Sequence, residues 1–384
     1  MNTYLPYGYH YAQGQGWSIA CSEDGYEGPI TELMRRILGR CLGFDLLHAW
    51  RNRSALRSAD VVWTHTEREH LAAALILSLS RAPAPRLLAQ CVWLFDSWSN
   101  LSTAKRFLYR YLLRYADIIT TQSPEDLKVA RTLFPTHPTA CILSGGAVEW
   151  MSQPREESIH HPVRIAALGN DMHRDWSTLL RAFGGRSEYE LAIASRQLTQ
   201  RRLRNAPNVR LVKAQTEADV RQLYQWADMV VVPLKHNRHA SGITVIFEGT
   251  ISGVPVVATD TGGLRAYFAE DEIAYVPLNA PDAMRDMVDS LCTDRARSLA
   301  MVARAQRHML TGELTKQGYA KRHRKLTEDL LQRRDPSLAV ARDRELSGTG
   351  ESIHQVKIFV FLGHGFGANR WRERYESGLI PGLN

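Results

Sequence analysis

Residues 240–268 read ASGITVIFEGTISGVPVVATDTGGLRAYF, and the order of elements within this stretch decides the fold. Ser241 and Gly242 are helix-start residues, and the apolar run after them ends at Ser252-Gly253. Pro255 then leads through VPVVAT (254–259), a short run rich in β-branched residues, as a central parallel strand requires. Gly262 and Gly263 follow at once, at the carboxyl end of that strand, where open α/β sheets bind their ligands. A helix N-terminus also offers unpaired N–H groups and a positive dipole end to an anion. The stretch therefore sets two anion- or sugar-facing edges one strand apart, with Glu248 on the helix between them.

The same alternation runs outward in both directions. VRIAALG (163–169), YELAIAS (189–195), VRLVK (209–213) and ADMVVVPL (227–234) read as strands, with helices at 175–184, through Leu203 and through Trp226. In the first half, FDLLHAW (44–50), ADVVWTHT (59–66), PRLLAQCVWLF (85–95) and YADIITTQS (115–123) read as strands, and ACILSGGAVEW (140–150) closes the half. Helices are expected at 29–42, 67–82 and 123–134, the last with Ser123 as N-cap and Pro124 at N1. This predicts an α/β chain of two Rossmann-like domains, 1–150 and 162–332, joined by the polar linker 151–161. The tail, 333–384, is charged and then glycine-rich, with one apolar island at VKIFVFLG; it reads as a disordered extension.

Composition narrows the class. The chain has 384 residues, 44% hydrophobic and 23% charged, which is ordinary for a globular protein of two domains. Its apolar runs are far too short to span a bilayer, and its first residues do not resemble a signal peptide. Five scattered cysteines lack metal-ligand spacing and fit a reducing cytoplasm. A net charge of +8 suits an anionic partner: a nucleotide-sugar, an anionic membrane or a nucleic acid. Dispersed basic residues and the lack of a nucleic-acid module argue against the last.

The 240–268 motif resembles the donor site of GT-B glycosyltransferases, specifically family 4, the glycosyl transferases group 1: a helix carrying Glu, then Gly-x-Pro-Val-Val-Ala-Thr, then Gly-Gly. The resemblance implies two Rossmann-like domains facing across a cleft, with a last helix that crosses back onto the first domain. It implies a nucleoside-diphosphate-sugar donor, no cofactor and no metal. Glu248 matches the family glutamate that holds the nucleotide ribose. The family's other glutamate falls near Ala240, where this chain instead has Lys235-His236-Asn237-Arg238-His239 upstream. A GT-B protein should also open on a buried strand and a glycine turn, but here Met1 leads into NTYLPYGYHYAQGQ. Either the first strand is missing, or WSIACS (17–22) is an early strand of a shortened unit.

Site residues follow from strand ends and from the resemblance together. Gly169, Asn170, Arg174, Lys235, Ser241, Gly242, Ile243, Thr244 and Glu248 are expected on the donor. In the family an arginine follows the glycine; here Asn170 stands there, and Arg174 is the retained basic residue. Arg174 can grip phosphate bidentately, or pair with Asp171 or Asp175 on the surface. On the acceptor side, Asp96 and His65 are read as ending strands and are the candidate bases, and Tyr9 and His10 are placed on a nearby loop. A retaining reaction, which the family motif implies, needs no such base, because donor phosphate serves instead; Asp96 is then a helix cap before Ser97. Residues 104–115 place Arg106, Arg110 and Arg114 on one helical stripe, which suits either an anionic membrane on the cytoplasmic face or plain solvation. The implied acceptor is a glycan or lipid-linked saccharide of bacterial polysaccharide or glycolipid assembly. A nucleotide-sugar epimerase or a non-catalytic binding protein on the same fold are the rival readings.

Overall fold

The computed structural model describes residues 5–14, 16–80, 84–334 and 355–366. The chain divides into two compact units: one takes in residues up to Ile142 and again from Lys316, and the other is Leu143–Thr315. The first unit opens with a 3-10 turn, Pro6–Ala12. It continues through β1 (Trp17–Cys21), α1 (Pro29–Leu42), α2 (Leu46–Arg51), α3 (Arg53–Ser58), β2 (Val61–Thr64), α4 (Glu67–Ser78) and β3 (Arg86–Cys91). Then come α5 (Leu94–Ser97), α6 (Thr103–Leu113), β4 (Ile118–Thr121), α7 (Pro124–Leu133) and β5 (Thr139–Cys141). The second unit holds β6 (Val163–Leu168), α8 (Trp176–Phe183), β7 (Tyr189–Ala194), β8 (Val209–Leu211), α9 (Glu217–Trp226) and β9 (Met229–Val232). It ends with α10 (Ile243–Ile251), β10 (Val256–Thr259), β11 (Ala274–Val276), α11 (Pro281–Thr293) and α12 (Arg295–Thr311). The chain then returns to the first unit as α13 (Lys316–Arg334) and β12 (Val356–Phe361).

In the second unit the sheet order is β11-β10-β9-β6-β7-β8, and every pairing is parallel. Counted from β6, this is the doubly wound order 3-2-1-4-5-6 read from the far edge, with its switch point between β6 and β9. β9 and β10 are buried along their whole length, because helices cover both faces. The polar segment expected as the linker is bonded to this unit. Ser152 N–H donates to the Ile251 carbonyl at 2.8 Å, and the Arg155 guanidinium donates to the Tyr224 and Gln225 carbonyls. Its polar composition reflects these carbonyl contacts.

In the first unit the order is β1-β12-β2-β3-β4-β5, again all parallel. The apolar island expected in a disordered tail is therefore an interior strand. Trp17–Cys21 pair with Val356–Val360 on one side of β12, and Val61–Thr64 pair with Ile358–Phe361 on the other. Ile358, Phe359, Val360 and Phe361 are all buried, as a run apolar on both faces demands. Residues 335–354 and 367–384 of the tail lie outside the described residues. Counted from β12, the order becomes 2-1-3-4-5-6. The buried first strand and glycine turn absent from the opening sequence are thus supplied by β12 and Gly363-His364-Gly365.

Two other expected strands differ. FDLLHAW is the helix α2, because Asp45 caps it by accepting from His48 N–H, and a short apolar run does not by itself distinguish strand from helix. β3 stops at Cys91, and Val92 and Trp93 N–H turn to the Glu67 carboxylate. The helix expected through Leu203 is a single 3-10 turn. The last helix, α13, packs within the first unit: Trp63 Nε1 donates to Thr327 Oγ1 at 2.9 Å, and Tyr319 meets Tyr9 hydroxyl to hydroxyl at 3.2 Å.

Candidate functional site

The switch point of the second unit gathers most of the expected donor residues. The loop leaving β6 carries Gly169, Asn170 and Arg174; the loop leaving β9 carries Lys235 and leads to Ser241 and α10. A bridge between Arg174 and Leu234, and a bond from Lys235 N–H to the His173 carbonyl at 2.8 Å, join the two loops. Gly242 caps α10 in the left-handed conformation, φ 85°, and no side chain caps this helix. Of its first-turn N–H groups, that of Ile243 already donates to the Ala240 carbonyl at 3.2 Å, and α10 begins at the carboxyl end of β9.

Arg174 is the residue around which this end is built. Its Nε donates to the Leu168 carbonyl at 2.9 Å and its Nη1 to Ser241 Oγ at 3.3 Å. Only 5% of it is exposed, so the surface pairing with Asp171 or Asp175 left open by the sequence is not what holds it. Burial depresses its pKa, and Asp171, Tyr224 and Glu248 offset that by favouring the cation. Glu248, half-buried on α10, accepts from the Tyr224 hydroxyl at 2.8 Å. Asn170 stands where the family pattern has an arginine, and it serves the loop instead. Its Oδ1 accepts from Arg196 N–H at 2.7 Å and so fixes the loop to the end of β7. Lys235 is exposed, with Nζ 3.5 Å from the Met172 carbonyl.

The sequence reading missed a cluster here. Asp171, His173 and His239 place their ligand-type atoms within 4.8 Å of one another. Asp171 Oδ1 lies 3.1 Å from His173 Nδ1, and its Oδ2 lies 3.0 Å from His239 Nε2 and accepts from Ser241 Oγ at 2.8 Å. Burial raises the Asp171 pKa, but the bonds from both histidines outweigh it and hold the carboxyl well below the usual range. The available signal was a histidine in each of the two loops, in MHRD and NRHA. Nothing in the linear spacing put them together.

The acceptor-side candidates lie in the first unit. His65, just past β2, stacks on Tyr7 with ring centroids 3.5 Å apart, and its Nδ1 is 3.1 Å from the Tyr9 hydroxyl. Gln90 Nε2 donates to the His65 carbonyl, and Gln90 Oε1 accepts from the Tyr319 hydroxyl. Burial lowers the His65 pKa to about 3, so the ring is neutral and resists protonation, which argues against it as a general base. Tyr9 is fully buried and belongs to this network. His10 turns away, its Nδ1 bonding the backbone of Leu5. Asp96 does not end a strand: β3 stops five positions earlier, and Asp96 sits in the first turn of α5. Asp96 is not among the hydrogen-bond partners of His65.

Comparison with known proteins bears on the fold and on the stretch that holds this site. Residues 165–294 match the family model described as glycosyl transferases group 1. Over 101 residues the chain is 34% identical to a D-inositol 3-phosphate glycosyltransferase of Corynebacterium urealyticum; the match spans 26% of this chain and 23% of that protein. Among solved structures it resembles sucrose-phosphate synthase of Thermosynechococcus elongatus, with TM-score 0.63, 16% identity, and 79% and 82% of the two chains covered. It also resembles Anabaena HepE in complex with UDP and glucose, with TM-score 0.60, 14% identity, and 76% and 82% covered. A third likeness is an α,α-trehalose-phosphate synthase of Burkholderia xenovorans in complex with glucose-6-phosphate, with TM-score 0.58, 15% identity, and 74% and 77% covered. The chain therefore has the GT-B fold, and residues 165–294 of its second unit match the model of the glycosyl transferases group 1.

Proposed function

We propose that the protein transfers a sugar from a nucleoside-diphosphate donor, bound by the second unit, to a glycan or lipid-linked saccharide bound by the first. The observation that carries this reading is the convergence of Arg174, the uncapped start of α10 and Glu248 at the β6/β9 switch point. Arg174 and the α10 amides would neutralise the diphosphate as it leaves. Glu248 would accept from the ribose hydroxyls. Neighbours crystallised with UDP and glucose support a nucleotide-sugar, and the trehalose-phosphate synthase neighbour, crystallised with glucose-6-phosphate, supports a saccharide partner. With Asp96 on α5 rather than at a strand end, the reading is a retaining, metal-independent transfer in which donor phosphate takes the acceptor proton.

The test is thermal stabilisation by UDP, GDP, ADP and their sugars, on wild type and on Glu248→Ala. A ligand at a hundredfold excess over its Kd adds about 2.7 kcal/mol of apparent stability. A shift with one nucleotide that Glu248→Ala removes is the expected result, followed by transfer assays with that nucleotide's sugars. No shift with any nucleotide overturns the reading in favour of a non-catalytic protein on this fold.

A further inference from the structure

The first unit brings cations from three separate elements into one hollow. This cavity, of about 540 Å³, is lined by Arg35, Arg36 and Arg40 of α1, Arg68 at the start of α4 and Lys105 of α6. α4 begins just after β2, and Leu94 and Ser97 of the cavity wall follow β3. The hollow therefore lies on the carboxyl side of the sheet, where open α/β sheets bind their ligands. Its volume is that of a small-molecule site.

The wall is fixed by bonds to backbone carbonyls. The Tyr109 hydroxyl donates to the Leu42 carbonyl at 2.8 Å and Lys105 Nζ to the Arg40 carbonyl at 3.1 Å, which ties α6 to the last turn of α1. Gly43, with φ 89°, permits this approach, because a Cβ there would overlap the Tyr109 hydroxyl. The acids nearby are already engaged. Arg35 holds Asp45 and Glu27, Arg36 holds Glu32, and Glu67 accepts the Val92 and Trp93 N–H groups. Arg40, Arg68 and Lys105 have no acidic partner among the described residues. Like charges gathered in one concavity focus the field and draw in an anion. The other α6 arginines are used elsewhere: Arg106 Nε donates to the Leu101 carbonyl, and Arg110 lies over the Trp98 ring at 5.4 Å.

We propose that this hollow takes the phosphate of a phosphorylated saccharide, the acceptor of the transfer. Arg40 and Arg68 grip the phosphate oxygens through their forked donors, and Lys105 adds a point charge. The proposal rests on the transfer reading and narrows the acceptor from any glycan to one bearing a phosphate monoester. A neutral glycan would leave the three cations unanswered. An inorganic phosphate alone would leave unfilled the space beside Leu94, Leu101 and Tyr109, which a sugar ring can occupy.

The experiment is thermal stabilisation of the full chain, without nucleotide, by the 1-phosphates and 6-phosphates of glucose, mannose and galactose. The free sugars and inorganic phosphate are run beside them. The expected result is stabilisation by at least one sugar phosphate, none by the free sugars and less by inorganic phosphate. Arg40→Gln/Arg68→Gln and, separately, Lys105→Gln should each weaken that binding by at least about tenfold, and Arg68→Lys should lose less than Arg68→Gln. Arg110→Gln, outside the hollow, should leave it unchanged. Arg40 and Arg68 are exposed, so the double variant should keep the ligand-free melting temperature of wild type. No stabilisation by any of these sugar phosphates, equal stabilisation by free sugars or by inorganic phosphate, or variants that bind like wild type each overturn the proposal. Because nucleotide is absent, these outcomes strike the acceptor site alone; failure of the donor reading shows only in the nucleotide panel.

Discussion

The Arg174 guanidinium fills the space that a side chain on Gly169 would need, and a Cβ on Gly242 would also meet Arg174 Nη1, at 3.1 Å. Both glycines have positive φ, 137° and 85°, so two backbone positions are kept bare around one cation. Gly169→Ala is expected to displace Arg174 from the Leu168 carbonyl and to cost about 1–3 kcal/mol through backbone strain. Nucleotide stabilisation should fall with it. Arg174→Lys, which keeps the charge but loses the fork, should leave the melting temperature closer to wild type and still lose nucleotide binding. Retention of nucleotide binding by both variants would refute the role given to Arg174.

Asp171 has both oxygens committed, to His173, His239 and Ser241. We expect the cluster to work as a hydrogen-bonded clasp between the β6 and β9 loops. EDTA should then leave thermal stability and sugar transfer unchanged, while Asp171→Asn should lower both. A loss of activity in EDTA that is restored by a divalent ion would show instead that the two histidines and Asp171 hold a metal.

Acid should weaken the first unit. Burial pushes His65 down to about 3, and His70 and His323 down to about 4. These rings stay neutral in the fold while the unfolded chain protonates below its ordinary value of 6.5. Their stability is thus present above that value and is lost as pH falls towards the folded values. Each contributes a loss of about 1.4 kcal/mol per pH unit within the window. Glu69 opposes them, since burial raises it to about 7 and its contribution fades as pH rises. Burial also lowers His48 in this unit, so the histidines outweigh Glu69 and leave a net fall from pH 7 to 5. Denaturant unfolding across that range should show it, and His323→Gln should flatten it. A flat wild-type profile would mean that the native histidines are charged.

β12 is the strand on which the first sheet depends, lying between β1 and β2. Val360→Asp would bury a carboxylate at a fully enclosed position and should unfold the first unit while the second keeps its nucleotide stabilisation. A rearranged chain with residues 355–384 placed ahead of 1–334 should fold to the same sheet, because only the connection changes and the strand order does not. Its circular dichroism and melting temperature check this. An unfolded rearranged chain would show that the route from α13 into β12 matters, and not β12's place alone.

The sequence by itself determined the second unit almost completely. Strands such as VRIAAL and MVVV are apolar on both faces, their caps and glycines lie next to them, and the Glu248–Gly263 order is local. Local signals suffice where each element is specified by residues within one turn or one strand. They failed for α2, where a single cap at Asp45 decides between two readings of a short apolar run. They also failed for the Asp171–His173–His239 cluster, whose members meet only when β6 and β9 become neighbours. The placement of β12 is the clearest case. VKIFVF carries an ordinary strand signal, but its partners are Trp17–Cys21 and Val61–Thr64, roughly three hundred residues away in the chain. Pairing over that distance leaves no periodicity to read. It is set by the one vacancy between β1 and β2 into which a strand apolar on both faces can be buried, and only the tertiary structure contains that vacancy.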